Sequence, residues 1–195
     1  MYHLQLRVSI GTIAVTWSTQ GLLQRLDWYE TRGIIPQKPI QYEAPAGIQD
    51  ILKRLMSFID EGKPMGSIPW TTIDLSELSR FQIEVYEALG DIPHGETRTY
   101  AWIAHRIARR RLAPKLISPR AVGQALKRNP FPILIPCHRI VSTKDLGGFM
   151  GRNDPNLPEL KLKQWLINLE SRYLNPVFPF LLCDSDPASF SLHAL

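Results

Sequence analysis

Apolar and polar positions alternate at the start of the chain, where Tyr2, Leu4, Leu6 and Val8 are separated by His3, Gln5 and Arg7. A period of two over this length predicts a half-buried strand. Gly11 marks a turn, and residues 13–17 and 22–28 read as two more strands of a meander. Residues 32–45 read as a proline-containing loop. The period then changes. Ile48, Ile51, Leu52, Leu55 and Ile59 keep helical spacing, and Gly62 with Pro64 stops that helix. Residues 63–69, rich in Gly and Pro, have the character of a linker. This first part is a small sheet plus a helix, with no visible chemistry.

A second part opens with Ser79-Arg80-Phe81-Gln82, a capping-box pattern. Phe81, Val85 and Leu89 define one apolar helix face, which ends at Gly90 to Pro93. His94 to Thr97 reads as a turn. A helix follows from Tyr100 to about Arg109, through Trp102, Ile103 and Ile107, and residues 110–117 form a connecting loop. Ser118 is an N-cap with Pro119 at the first helical position, and the helix runs on from Arg120 to Lys127. Two short helices with a basic second one suggest a helix-turn-helix, although any helical hairpin has this spacing. Residues 133–135 read as a short buried strand that Pro136 cannot continue. Leu162, Trp165, Leu166 and Leu169 mark a last helix, with Glu170 at its end.

Candidate chemistry centres on Pro136-Cys137-His138-Arg139. A base or cation beside a thiol favours the thiolate, which is the nucleophile. The tetrapeptide alone fits equally well a small buried hydrophobe on a core strand. Charge changes the picture. Between Glu96 and Asp145 there is no acidic residue, while Arg98, Arg106, Arg109, Arg110, Arg111, Lys115, Arg120, Lys127, Arg128, Arg139 and Lys144 fall there. Such a segment is the electrostatic footprint of a polyanion, and nucleic acid is the expected partner. The chain's formal charge is +5, and the basic excess belongs to the second part. No run of apolar residues is long enough to span a membrane, and no secretory h-region opens the chain. With only Cys137 and Cys183, a reducing compartment is expected: the cytoplasm, or the nucleus in a eukaryote. The five histidines are scattered, so no metal site is expected, nor any cofactor.

The motifs Phe81-Gln82, Val85-Tyr86-Glu87-Ala88-Leu89, Ile92-Pro93-His94-Gly95-Glu96-Thr97 and Thr99-Tyr100 occur in the order of one known family. So do Ile103-Ala104, Arg120-Ala121-Val122-Gly123, Asn129-Pro130, Pro136 to Val141, and Gly147-Gly148-Phe149. Together they resemble the O6-alkylguanine-DNA alkyltransferases, densely over residues 77–170. The resemblance implies an α+β fold. A small ribonuclease-H-like sheet domain would occupy residues 1–70 and a linker 71–76. A mostly helical, winged-helix-like domain with the helix-turn-helix would span 77–170, before a tail at 171–195. It also implies irreversible alkyl transfer from guanine O6, or from O4 of thymine, to Cys137, one lesion per protein.

Roles carry over from the resemblance by position. His138 would act as base through a water, Glu170 would orient it, and Asn129 would brace the turn around the thiol. Tyr100 would press on a phosphate or donate to the departing guanine. Arg120 would fill the stack left by a flipped base, with the second helix in the minor groove of double-stranded DNA. Ser118, Arg98, Lys127, Arg128 and Arg139 would contact the DNA, and the Arg109-Arg110-Arg111 run its phosphates. Phe149, Met150, Gly151, Ile140 and Pro136 would form the substrate pocket, and the protein would act as a monomer. The chain departs from the family pattern in a longer basic loop at 109–117, in Pro119, in Arg152 and in an insertion at 153–159. Three other readings remain: a lesion-recognition protein that transfers nothing, a helix-turn-helix regulator with an incidental thiol, and a cysteine hydrolase.

Overall fold

The structure is a computed structural model, and it describes residues 1–30, 44–111 and 117–174. Strands β1 (Tyr2–Val8), β2 (Gly11–Trp17) and β3 (Leu23–Tyr29) form an antiparallel meander in the order β1-β2-β3. The central strand turns Ile13, Val15 and Trp17 inward, all at 2% exposure or less. Helix α1 (Ala46–Glu61) covers that face with Ile48, Ile51, Leu55, Phe58 and Ile59, the predicted stripe. Gly62 closes it in the left-handed conformation, its N–H donating to the Phe58 carbonyl. The loop read at 32–45 lies, up to residue 43, outside the described residues.

Strand β3 connects this sheet to the rest. Ile73 pairs with Leu23, Asp74 donates its N–H to the Leu23 carbonyl and accepts from the Gln24 amide, and Leu26 N–H donates to the Pro130 carbonyl. The buried side chains on both sides form one continuous core.

Helix α2 (Arg80–Leu89) begins with the predicted capping box: Ser79 Oγ accepts from Gln82 N–H, and the Gln82 side chain accepts from Ser79 N–H. It packs with α3 (Tyr100–Arg110) and α4 (Pro119–Lys127). Between α2 and α3 lies β4 (Arg98–Thr99), which pairs in parallel with β5 (Ile140–Val141). Of the connecting loop between α3 and α4, residues 112–116 lie outside the described set. Helix α5 (Pro158–Leu174) closes the order, running a turn beyond Glu170.

Residues 133–135 are not a strand. Ile133 has φ 74°, Ile135 N–H returns to the Phe131 carbonyl, and Pro132 bridges Ile135, so the chain reverses on itself. Pro130, Pro132 and Pro136 supply no N–H to any ladder. The apolar run is nevertheless buried, with Phe131 fully so. It is a hydrophobic turn that plugs the core beneath Cys137.

Replacing Ser79 with Ala removes the Oγ arm of the capping box, leaving the backbone N–H arm, and is expected to cost about 1 kcal/mol. Thermal unfolding should show Tm lower by about 2–4 °C, with no change at the thiol.

Candidate active site

Cys137 opens a 3-10 turn, Cys137–Arg139, directly after the proline-rich reversal. Asn129, just past α4, ties that reversal together. Its Oδ1 accepts from Phe131 N–H at 3.0 Å, and its Nδ2 donates to the Ile135 carbonyl at 3.1 Å and to Cys137 Sγ at 3.2 Å. Both amide hydrogens are thereby used, and the thiol position is fixed from the side of α4.

The same turn buries His138 completely. Its Nε2 lies 2.8 Å from Glu170 Oε1, and Glu170 is 1% exposed. Glu170 also accepts from Arg139 Nε at 2.9 Å, from Arg139 Nη2 at 3.0 Å and from Gly95 N–H at 2.9 Å. Burial alone would push this carboxyl up, but the hydrogen bonds and charges of His138 and Arg139 outweigh burial and hold it at about 2. Glu170 is therefore a carboxylate, and the His138 nitrogen facing it carries the proton. Burial lowers the His138 pKa and keeps the ring neutral, which leaves Nδ1 as a free base, without a protein partner among the described residues.

The thiol itself is not primed. Burial raises the Cys137 pKa, against opposition from the Asn129 hydrogen bond, the charge of Lys163 and nearby backbone N–H groups. The expectation that an adjacent imidazole and guanidinium favour the thiolate does not hold in the resting protein. Arg139 is committed to Glu170 and His138 is neutral, so desolvation wins.

Cys137 borders a cavity of about 420 Å³. Phe149, Met150 and Gly151, which the sequence reading assigned to a substrate pocket, line it together with Tyr100, Arg120 and Lys127, which it assigned to catalysis or DNA contact. One wall is a two-residue reversal in which Phe149 and Arg152 exchange backbone hydrogen bonds of 2.9 and 2.8 Å. Its tip holds Met150 at φ 48° and Gly151 at φ 80°, the left-handed pair that such a turn requires. Gly147 lets the chain pass close to Tyr100, since a Cβ there would sit 3.0 Å from the tyrosine oxygen. Arg152 and Asn153, from the departing loop, also border the cavity, and Arg152 pairs with Glu159 at 3.4 Å.

Other predicted residues lie elsewhere. Pro136 borders a second cavity of about 360 Å³ behind the relay, and the Ile140 carbonyl is taken by Lys163 at 2.6 Å. Arg139 is part of the buried relay, not a surface cation, because its guanidinium bridges Glu170 and the Ile92 carbonyl. Arg98 pairs with Glu96 and lies 5.7 Å over the Trp102 ring. Ser118 caps α4, its Oγ accepting from Arg120 N–H.

The basic run of α3 is partly neutralised by acids from α2 and the turn after it. Arg106 and Arg110 hold Asp91, at 2.6 and 2.7 Å, and Arg111 holds Glu84. A segment without acids in sequence is thus not one without acids in space. By contrast Arg120, Lys127 and Arg128 are exposed, and none has an ion pair among the described residues.

Two side chains were missed. His94 places Nδ1 3.7 Å from Glu170 and 3.4 Å from Arg139 Nη2. Lys163 is fully buried and shares a face of α5 with Leu166 and Glu170. A lysine at i, i+3, i+7 spacing with a leucine and the relay acid was the available signal.

An imidazole–carboxylate pair behind a buried thiol, itself open to a cation-rimmed cavity, defines a nucleophilic cysteine protein. Residues 80–172 match the family described as 6-O-methylguanine DNA methyltransferase, DNA binding domain. The chain is 36% identical over 128 residues to the methylated-DNA–protein-cysteine methyltransferase of Methanocaldococcus jannaschii, covering 66% of this chain and 68% of that one. Identity to the Methanosarcina barkeri protein of that name is 31% over 175 residues, 89% of this chain and 99% of that one. The fold is similar to Mycobacterium tuberculosis OGT solved in complex with DNA, with a TM-score of 0.65 and 25% identity over 89% of this chain and 94% of that one. The chain belongs to the methylated-DNA–protein-cysteine methyltransferase family.

Glu170 has a measurable consequence. Held at about 2 against an ordinary 4.5, it contributes stability that is complete above pH 4.5 and lost as the pH falls through about 2. Urea unfolding across that window should lose up to about 3 kcal/mol in the wild type, and Glu170→Gln should remove this part of the pH dependence.

Proposed function

We propose that the protein repairs DNA by transferring the alkyl group of O6-alkylguanine irreversibly to Cys137. The observation that carries this reading is Cys137 at a cavity rimmed by Arg120 and Lys127, with a neutral imidazole and a carboxylate behind it. The thiol proton passes through a water to His138 Nδ1, and Glu170 stabilises the imidazolium that results. The thiolate then forms a bond to the alkyl carbon as the bond from that carbon to O6 breaks. The electron pair left on guanine takes up a proton from Tyr100, and the proton held by His138 restores the tyrosine. Sulfur ends as a thioether, which water does not cleave, so each protein acts once.

The target base must leave the duplex to reach this cavity. We read α3 and α4 as a helix-turn-helix in a winged-helix-like domain, with α4 entering the minor groove and Arg120 filling the vacated stack. In this reading Ser118, at the start of α4, contacts the DNA backbone beside that groove. The domain division at 71–76, a ribonuclease-H-like ancestry for the β1–β3 sheet and a monomeric state belong to the same reading.

Intact mass after mixing with a duplex carrying one O6-methylguanine should rise by one methylene, on Cys137, saturating at one per protein. Tight lesion binding without a mass change would instead identify a recognition protein that transfers nothing.

The ion-pair pattern sets a second expectation. Replacing Arg120, Lys127 or Arg128 with Ala should each reduce the slope of log affinity against log salt by about 1. Arg110→Ala and Arg111→Ala should leave that slope nearly unchanged in the same titration, because those charges are held by Asp91 and Glu84.

A further inference from the structure

Arg152 combines a fixed backbone with a free side chain. Its N–H donates to the Phe149 carbonyl at 2.8 Å, and its carbonyl accepts from Phe149 N–H at 2.9 Å, so both backbone groups are committed to the reversal that walls the cavity. The segment that follows is folded by its own bonds. Asp154 Oδ1 accepts from Asn156 N–H at 2.9 Å, and the Asp154 carbonyl accepts from Leu157 N–H at 3.1 Å. Between these anchors the Arg152 side chain is 62% exposed.

Its ion-pair partner among the described residues is Glu159, at 3.4 Å. That is longer than a charge-assisted hydrogen bond, and an exposed pair of this kind contributes little to stability. Glu159 does not depend on the pair either. It stands in the first turn of α5, where the positive end of the helix dipole favours a carboxylate. The guanidinium is therefore free to leave Glu159 for a stronger anion.

The cavity defines where that anion arrives. Cations border it from two elements, Arg120 and Lys127 from α4 and Arg152 from the reversal. The two elements meet at Gly151, where a Cβ would touch the Lys127 stem at 3.4 Å. No Asp or Glu stands among the described residues that border the cavity. A nucleotide that swings into it stays tied to its strand by a phosphate on each side, and those phosphates remain at the mouth. A guanidinium fork meets two phosphate oxygens at once.

We propose that Arg152 is a DNA-binding residue that takes a backbone phosphate beside the flipped nucleotide, and that Glu159 holds its guanidinium until DNA arrives. The proposal rests on the alkyl-transfer reading, which supplies the flipped nucleotide. One anion replaces another on the guanidinium, so no charge is left unpaired at the mouth during the exchange.

The test is duplex affinity against salt for wild type, Arg152→Ala, Arg152→Lys, Glu159→Gln and the Arg152→Ala/Glu159→Gln double variant, with thermal unfolding of each. The duplex carries one O6-methylguanine, and its two flanking linkages are either ordinary phosphates or, one at a time, neutral methylphosphonates. Arg152→Ala is expected to lower the slope of log affinity against log salt by about 1, and Arg152→Lys to keep it. Glu159→Gln should tighten binding by up to about fivefold, a gain that vanishes once Arg152 is Ala. Neutralising one flanking linkage should weaken the wild type and have no further effect on Arg152→Ala. An Arg152→Ala protein with the wild-type slope, or one that loses as much again when either linkage is neutral, would overturn the proposal. Should Arg152→Ala not fold, Glu159→Gln decides: its gain must disappear with one neutral linkage, and a gain that survives both sinks the idea. Intact mass on the same duplex separates the two levels. A wild type that gains the methyl while Arg152→Ala keeps its slope refutes the phosphate contact alone, whereas a wild type that neither binds nor gains the methyl refutes the transfer reading and this proposal with it.

Discussion

Everything around the thiol depends on one buried carboxylate. Glu170 accepts from the imidazole of His138, twice from the guanidinium of Arg139, and from the backbone of Gly95. These groups come from α5, from the 3-10 turn and from the turn before β4, which are far apart in sequence. A charge at this depth is tolerated only when every lone pair is met, so the three segments must arrive together. The short parallel pairing of β4 with β5 brings the same two strands of chain into register. Catalytic geometry and folding are therefore one requirement here.

The resting state is a consequence of that economy of charge. Arg139 is spent on Glu170 and His138 is kept neutral, so no cation is left beside the sulfur on that side, and burial dominates. The reactive form has to be made during the reaction, by a base already carrying the correct tautomer. A thiol kept protonated until its target is seated is also shielded from adventitious oxidation, which follows thiolate character and exposure.

Periodic and capped elements were legible from the residues. The β1–β3 meander, α1 with its Gly62 stop, the Ser79–Gln82 box and the Ser118–Pro119 start of α4 all follow from local rules, and local rules are what a sequence displays directly. Cys137 stood out from its own tetrapeptide, the roles of His138, Glu170 and Asn129 came through resemblance, and the four side chains do converge. What failed was non-local. Residues 133–135 have a strand's composition, but three prolines deny them a ladder. Two-residue strands are too short to leave a period, so β4 and β5 were invisible. Arg139 read as a surface cation because its partner lies 31 positions away. Lys163 carries the polar label that sequence reading assigns to solvent, although helical spacing puts it on the buried face.

The pairing of Arg106, Arg110 and Arg111 with acids near α2 alters the molecule as a whole. Those charges cancel where they stand, whereas Arg120, Lys127 and Arg128 remain unopposed around α4 and the cavity mouth. Unopposed positive charge therefore lies beside the cavity that Cys137 borders, and that face is one a polyanion attracts. In the field of a polyanion such a body rotates before it touches, so encounters are biased toward those that present the thiol first.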